Sequence, residues 1–293
     1  MPHLLKSKNL EILVDLPNEG YQGARFDWCG KITAIRYQGL ALTTFERLDA
    51  KEHSHFGKVM YNEFGIDSPL GFKEAALGDW FHKIGIGLLR KEKESYGFAD
   101  NFEIKPCEFN TLKTQTAIMV RCLAPSYNDF GYLLSKEIRL VEHGFEIAYQ
   151  LQNSGKMPII TDEYCHNFLA VDSHPLDEQY SLEFPVPLNV AGFDEAVNPG
   201  QTVWFNAKTL RLTSSLKNEI FFSNITQSKE TLAEWQLYHK KHRVGIQELG
   251  SFTTNKINIW GCPHTISPEL FFKIALAPGE TIAWSRRYSF WRG

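Results

Sequence analysis

The chain has 293 residues, 43% hydrophobic and 13% aromatic, which is enough apolar material for a large buried core in one big domain or two ordinary ones. A formal net charge of −3 excludes the clustered excess of Lys and Arg that a nucleic acid or an anionic membrane surface would require; KKHR at 240–243 and LLRKEKE at 88–94 are short and read as solvated faces. Five cysteines (Cys29, Cys107, Cys122, Cys165, Cys262) include no C-x-x-C pair, so they suggest neither a disulfide framework nor a thiolate zinc site.

Free thiols fit a cytoplasmic location. The opening MPHLLKSKNLEILVDLP has no apolar stretch long enough for a signal peptide, and no segment approaches the ~20 apolar residues that span a bilayer.

Along the chain, period-two alternation recurs in KITAIRYQG (31–39), TAIMVRCL (116–123), FEIAYQLQNSG (145–155) and TVWFNA (202–207), and again in EIFFSNI (219–225), KINIWG (256–261), LFFKIAL (270–276) and TIAWSRRYSFW (281–291). These runs are rich in β-branched and aromatic residues, and the turn formers NSGK, NPGQ and APGE fall between them. The pattern predicts an all-β protein. One stretch, SKETLAEWQLYHKKH (228–242), fits either an amphipathic helix capped by Ser228 or a pair of strands. No linker, charge block or repeat divides the chain, so residues 1–293 are expected to form a single large antiparallel β-sandwich with its functional residues on one sheet face or in the loops.

The stretch DEYCHNFLAVD (162–172) places His166 and Asn167 inside an otherwise apolar strand. In isolation it reads as a core histidine satisfied by backbone. Strict alternation sends the two side chains to opposite faces, so only one of them can meet a ligand unless a bulge intervenes.

Three segments together resemble the galactose mutarotase-like (aldose 1-epimerase) superfamily. The first comprises GARFDWCGKITAIRYQG (23–39), NEFGIDSPLGF (62–72) and FHKIGIGLLRK (81–91); the second is LQNSGKMPIITDEYCHNFLAVD (151–172); the third is TISPELFFKIALAPGETIAWSRRYSF (265–290). The resemblance runs in order from about Tyr21 to Phe290. It implies a large antiparallel supersandwich with an open sugar cleft, in which a histidine and a glutamate interconvert anomers without a cofactor or metal. It maps the histidine onto His166 and the glutamate onto Glu269. A histidine titrating near 6.5 and a carboxylate near 4.3 suit an acid and a base respectively. The chain departs from characterised sugar epimerases in lacking their N-H-x-H-G-G and G-R-x-x-N-R segments. Lys83, in that approximate place, would supply a point charge where arginine makes a planar bidentate contact.

Further candidates for contact with a small carbohydrate are Glu63 and Lys83, charged groups among apolar neighbours, together with Asn167. Arg25 belongs either to the cleft rim or to a structural ion pair with Asp27 across Phe26; His264 is either a second cleft histidine or an ordinary loop residue. Trp260 is a candidate stacking surface for a pyranose, although most tryptophans of an all-β protein pack the core. Glu269 follows Pro268, which places it in an extended segment, either at the site or as a solvent-facing acid.

A metal reading of His53, His55 and Glu63 lacks the spacing and the fourth ligand of a cupin motif. His239 and His242, at i and i+3, show no third ligand in sequence. The oligomeric state is not encoded in any recognisable pattern. The leading alternative to an epimerase is a carbohydrate-binding protein on the same fold that lacks turnover.

Overall fold

The computed structural model describes residues 2–49 and 56–293; His53 and His55 lie outside them. Among the described residues the chain is built of strands, with a single 3-10 turn at Val190–Gly192, and no helix is long and apolar enough to cross a membrane.

The alternating runs form strands where the sequence predicts them. KITAIRY is the strand Lys31–Tyr37, AIMVRCL is Ala117–Leu123, and the last run is Thr281–Arg292, whose Trp284, Arg286, Tyr288 and Phe290 all point inward. LFFKIAL is divided between Thr265–Leu270 and Phe272–Leu276, which belong to different sheets. The ambiguous stretch at 228–242 forms strand Thr231–His239 and the turn into strand Val244–Thr254. Ala233, Trp235, Leu237 and His239 are buried and the residues between them are not, so period two prevails over the helical alternative.

Ten antiparallel strands make the largest sheet. Its centre is the series Thr231–His239, Val244–Thr254, Thr281–Arg292, Gly144–Asn153 and Tyr132–Val141. Facing it is a seven-stranded sheet in which Lys31–Tyr37, Met60–Phe64, Ile159–Asn167 and Phe272–Leu276 are successive neighbours. A four-stranded sheet (Glu195–Val197, Ile220–Ser223, Ile257–Cys262, Thr265–Leu270) continues this second layer, and a three-stranded sheet (Trp80–Lys83, Gly87–Arg90, Ile104–Pro106) stands beside it. Buried residues of the three larger sheets, such as Ile147, Ile12 and Ile259, share one apolar cluster. Cross-strand stacking reinforces the central strands: Tyr149 lies 4.8 Å from Trp284 with the rings 3° from parallel, and Phe145 lies 4.7 Å from Tyr288. Such aromatic pairs contribute about 0.5–1.5 kcal/mol each beyond area burial.

A polar seam also crosses this core. Arg286, fully buried, donates to Glu163 Oε2 and Glu248 Oε1, each at 2.7 Å. Lys136 Nζ donates to Asn62 Oδ1 at 2.7 Å and Asp27 Oδ2 at 3.2 Å, and Asn62 Nδ2 donates to Glu163 Oε1 at 2.7 Å. Donors and acceptors are thus matched across the sandwich, as burial of charge demands. The seam corrects one reading of the N-terminal segment. Asp27 pairs with Lys136 and not with Arg25, because residues 21–30 are irregular and alternation across Phe26 does not apply.

Candidate functional site

Strand Ile159–Asn167 sits between Met60–Phe64 and Phe272–Leu276, and its two faces do different things. Glu163, Cys165 and Asn167 turn toward the ten-stranded sheet. Tyr164 and His166 turn the other way, into a cleft of about 750 Å³, a volume typical of small-molecule sites. Directly across from Tyr164 in the antiparallel register stands Glu63, which therefore shares that face.

Glu269 arrives from a different sheet. Its strand, Thr265–Leu270, is the edge of the four-stranded sheet, which is where a proline such as Pro268 is tolerated. Two contacts dock that edge against the histidine strand. Asn167 N–H donates to Ser267 Oγ at 2.9 Å, and Asn167 Nδ2 donates to the Pro268 carbonyl at 2.7 Å. Glu269 Oε1 consequently lies 3.0 Å from His166 Nδ1, but off the line of a ring N–H, so that Nδ1 makes no hydrogen bond among the described residues. Ser267 Oγ donates to the same Oε1 at 3.3 Å; Oε2 has no partner among the described residues.

On its other side His166 Nε2 is 3.3 Å from both Glu63 Oε2 and Arg25 Nη2. Burial pushes the imidazole pKa down, but Glu269 and the two carboxylate contacts outweigh burial and Arg25, holding it above its ordinary 6.5. In its protonated form the ring donates Nε2–H to Glu63 and directs Nδ1–H to the cleft floor; Arg25, which can only donate, bonds Nε2 only in the form in which that nitrogen carries no proton. Phe168 stacks on the ring at 5.4 Å and Phe26 meets it edge-on at 5.2 Å, which fixes its orientation.

Beneath the histidine, Glu63 is saturated. Its Oε2 also accepts from Arg25 Nε at 3.0 Å and Tyr164 OH at 2.9 Å, and its Oε1 accepts from Lys83 Nζ at 3.3 Å. Burial opposes its ionisation, yet Lys83, Arg25 and His166 prevail and hold it well below the usual carboxylate range. Lys83, also buried, is kept charged by Glu63 against its own desolvation, and it donates to the Gly65 carbonyl at 3.2 Å and to Tyr96 OH at 3.0 Å.

The sequence candidates thus separate by position. His166, Glu269, Arg25 and Trp260 line the cleft. Glu63 and Lys83 form a charged layer under its floor. Asn167 lies on the core face, where it donates to Glu248 Oε2 at 3.0 Å and accepts from Tyr288 OH at 3.0 Å. His264 lies outside the lining, with Nε2 3.0 Å from the Phe45 carbonyl. An arginine is present at the site even without the G-R-x-x-N-R segment. Arg25 is clamped between the Phe26 and Phe98 rings at 4.6 and 4.5 Å and paired with Glu46 and Glu63.

Several lining residues escaped the sequence reading. Tyr164 and Phe168 share the face of His166 by simple alternation, so the period-two signal was available for both. Asn258, opposite Glu269 in the register, and the acids Asp194, Glu195 and Glu219 come from loops and strands distant in sequence.

Comparison with solved structures shows the same fold. A candidate aldose 1-epimerase from Escherichia coli K12 superposes with a TM-score of 0.63 at 11% identity, over 100% of this chain and 99% of that one. A galactose mutarotase-like protein from Lactobacillus casei ATCC 334 gives 0.58 at 12% identity over 99% and 100%, and the GalM/aldose epimerase homologue from C. elegans gives 0.57 at 10% over 100% and 99%. No protein-family model and no curated protein sequence matches the chain. The architecture is that of the galactose mutarotase-like proteins, an all-β sandwich.

Proposed function

We propose that this protein is an aldose 1-epimerase-like enzyme that binds a free sugar in the cleft and interconverts its anomers. The observation that supports this reading is the approach of His166 Nδ1 and Glu269 to 3.0 Å on the cleft floor, from two different sheets, with Glu269 Oε2 and the Nδ1 direction both left without a partner among the described residues.

In this reading Glu269 Oε2 takes the proton from the anomeric hydroxyl as His166 Nδ1–H protonates the ring oxygen. The C1–O5 bond breaks, giving the open-chain aldehyde. Rotation about C1–C2 presents the other face of the carbonyl, and the reverse transfers close the ring and restore both residues. Glu63 holds the Nε2 side of the imidazole and favours its charged form. Trp260, Phe168 and Phe271 supply apolar surface for the sugar ring.

The cleft chemistry favours an unphosphorylated substrate. Among the described residues its cations are already engaged: Arg25 by Glu46 and Glu63, Arg47 by Glu219 at 2.6 Å, and Lys256 by Asp67 at 4.0 Å. Asp194 and Glu195 add further negative charge to the same wall.

The test is anomer exchange by saturation-transfer NMR across a panel of aldoses, using wild type, His166→Gln and Glu269→Gln. General acid–base groups contribute about 10²–10⁴-fold, so each variant should lose most of the acceleration. A wild-type protein that binds a sugar yet leaves every exchange rate unchanged would end the enzyme reading in favour of a binding protein on this fold.

A further inference from the structure

Three imidazoles converge on the ten-stranded sheet, and none of them lines the cleft. His239 ends strand Thr231–His239, His242 lies in the turn into strand Val244–Thr254, and His174 lies in the segment between strands Ile159–Asn167 and Tyr180–Glu183. We propose that His174, His239 and His242 form a binding site for a divalent transition metal of the zinc or cobalt class.

One ligand atom from each residue lies within 4.8 Å of the other two. A tetrahedral ion with metal–nitrogen bonds of about 2.0–2.1 Å needs nitrogens about 3.4 Å apart. Closing to that spacing takes modest rotation of His174 and His242, which are only partly buried. His239 is fully buried, and its Nε2 has no hydrogen-bond partner among the described residues. An orphaned buried nitrogen is uncommon, and a metal would satisfy it. Ligation through Nε2 moves the ring proton to Nδ1 and gives up the 3.2 Å contact that Nδ1 now accepts from His242 N–H.

The surroundings supply the rest of a metal site. Asp177 Oδ2 lies 3.0 Å from His174 Nε2, a carboxylate–histidine pairing that leaves Nδ1 of His174 for the ion. The backbone around His174 is held in place: Asp172 and Ser173 take positive φ of 50° and 59°, and Tyr180 OH donates to the His174 carbonyl at 2.9 Å while accepting from Val171 N–H at 3.0 Å. Tyr180 is also the register partner of His239. A bound ion would therefore tie the segment leaving the catalytic-histidine strand to the hairpin beneath it.

The test uses the full chain, stripped with EDTA and titrated with Co²⁺ by visible absorption and with Zn²⁺ by calorimetry. One equivalent should bind, with intense tetrahedral-type Co²⁺ bands and a Zn²⁺-dependent rise in Tm. His174→Ala and His242→Ala, both at partly exposed positions, should each weaken binding by about 100-fold or more while leaving the metal-free circular dichroism unchanged. Absence of stoichiometric binding at micromolar metal, or binding unaffected in both variants, would overturn the assignment.

Discussion

Glu63→Gln is the most informative single change at the cleft floor. It removes the one carboxylate paired with Lys83 among the described residues and one of the two paired with Arg25, leaving Lys83 with neutral acceptors alone: the Gly65 carbonyl, Tyr96 OH and the new amide oxygen. Both members of the Lys83–Glu63 pair are essentially inaccessible, at 1% and 0% side-chain exposure. Breaking such a pair from one side costs about 3–5 kcal/mol. At roughly 2–3 °C per kcal/mol for a chain of this size, Tm should fall by about 10 °C. Thermal and urea unfolding would measure it. A second variant, Glu63→Gln with Lys83→Met, removes the stranded cation as well and should lose less than the sum of the two single changes, with a coupling of about 1–3 kcal/mol. A Tm for Glu63→Gln within about 2 °C of wild type, or strict additivity in the double variant, would refute the view that this ionic layer holds the floor.

Other expectations concern titration and selectivity. His166 has a folded pKa above its unfolded value of about 6.5, so its contribution to stability is complete below that pH and is lost as pH rises through the higher folded value. Exchange activity that needs the protonated ring should decline over the same upper window, and an NMR titration of the ring proton would locate it. Asn167→Ala strands Tyr288 OH in the core and removes the bond to the Pro268 carbonyl, and should cost about 1–3 kcal/mol in urea unfolding; because the same amide docks the strand that carries Glu269, sugar binding should weaken with it, and an unchanged Kd would show that the Asn167 N–H contact to Ser267 alone holds that strand. A sugar 6-phosphate should bind about tenfold or more weakly than its parent sugar by calorimetry, because among the described residues it meets carboxylates and cations already paired with acids.

The all-β class was legible because alternation is local: Ala233, Trp235, Leu237 and His239 carry it even in the stretch that also fits a helix. His166 and Glu269 were legible through the resemblance, and their proximity was not, since it depends on Asn167 docking an edge strand from another sheet. Glu63 was visible as an odd charge, but its role under the floor follows from its register with Tyr164, 101 residues away. Arg25 was ambiguous for a related reason. Its neighbour Asp27 looks like a partner until irregular backbone sends one to the cleft and the other to Lys136. The third histidine beside His239 and His242 was invisible in sequence because His174 comes from a segment brought to them by long-range strand pairing, with Tyr180 opposite His239.

The strand Ile159–Asn167 carries cleft-facing side chains on one side and an ionic clasp on the other. A slip of one residue would push the Glu163 carboxylate into the cleft and bury His166 against Arg286. The clasp thus acts as a molecular key that admits one alignment. Because alignment is enforced from behind, the cleft-facing positions are free to diversify: Phe168, Trp260 and the acids of the far wall can change without disturbing where the His166 side chain stands.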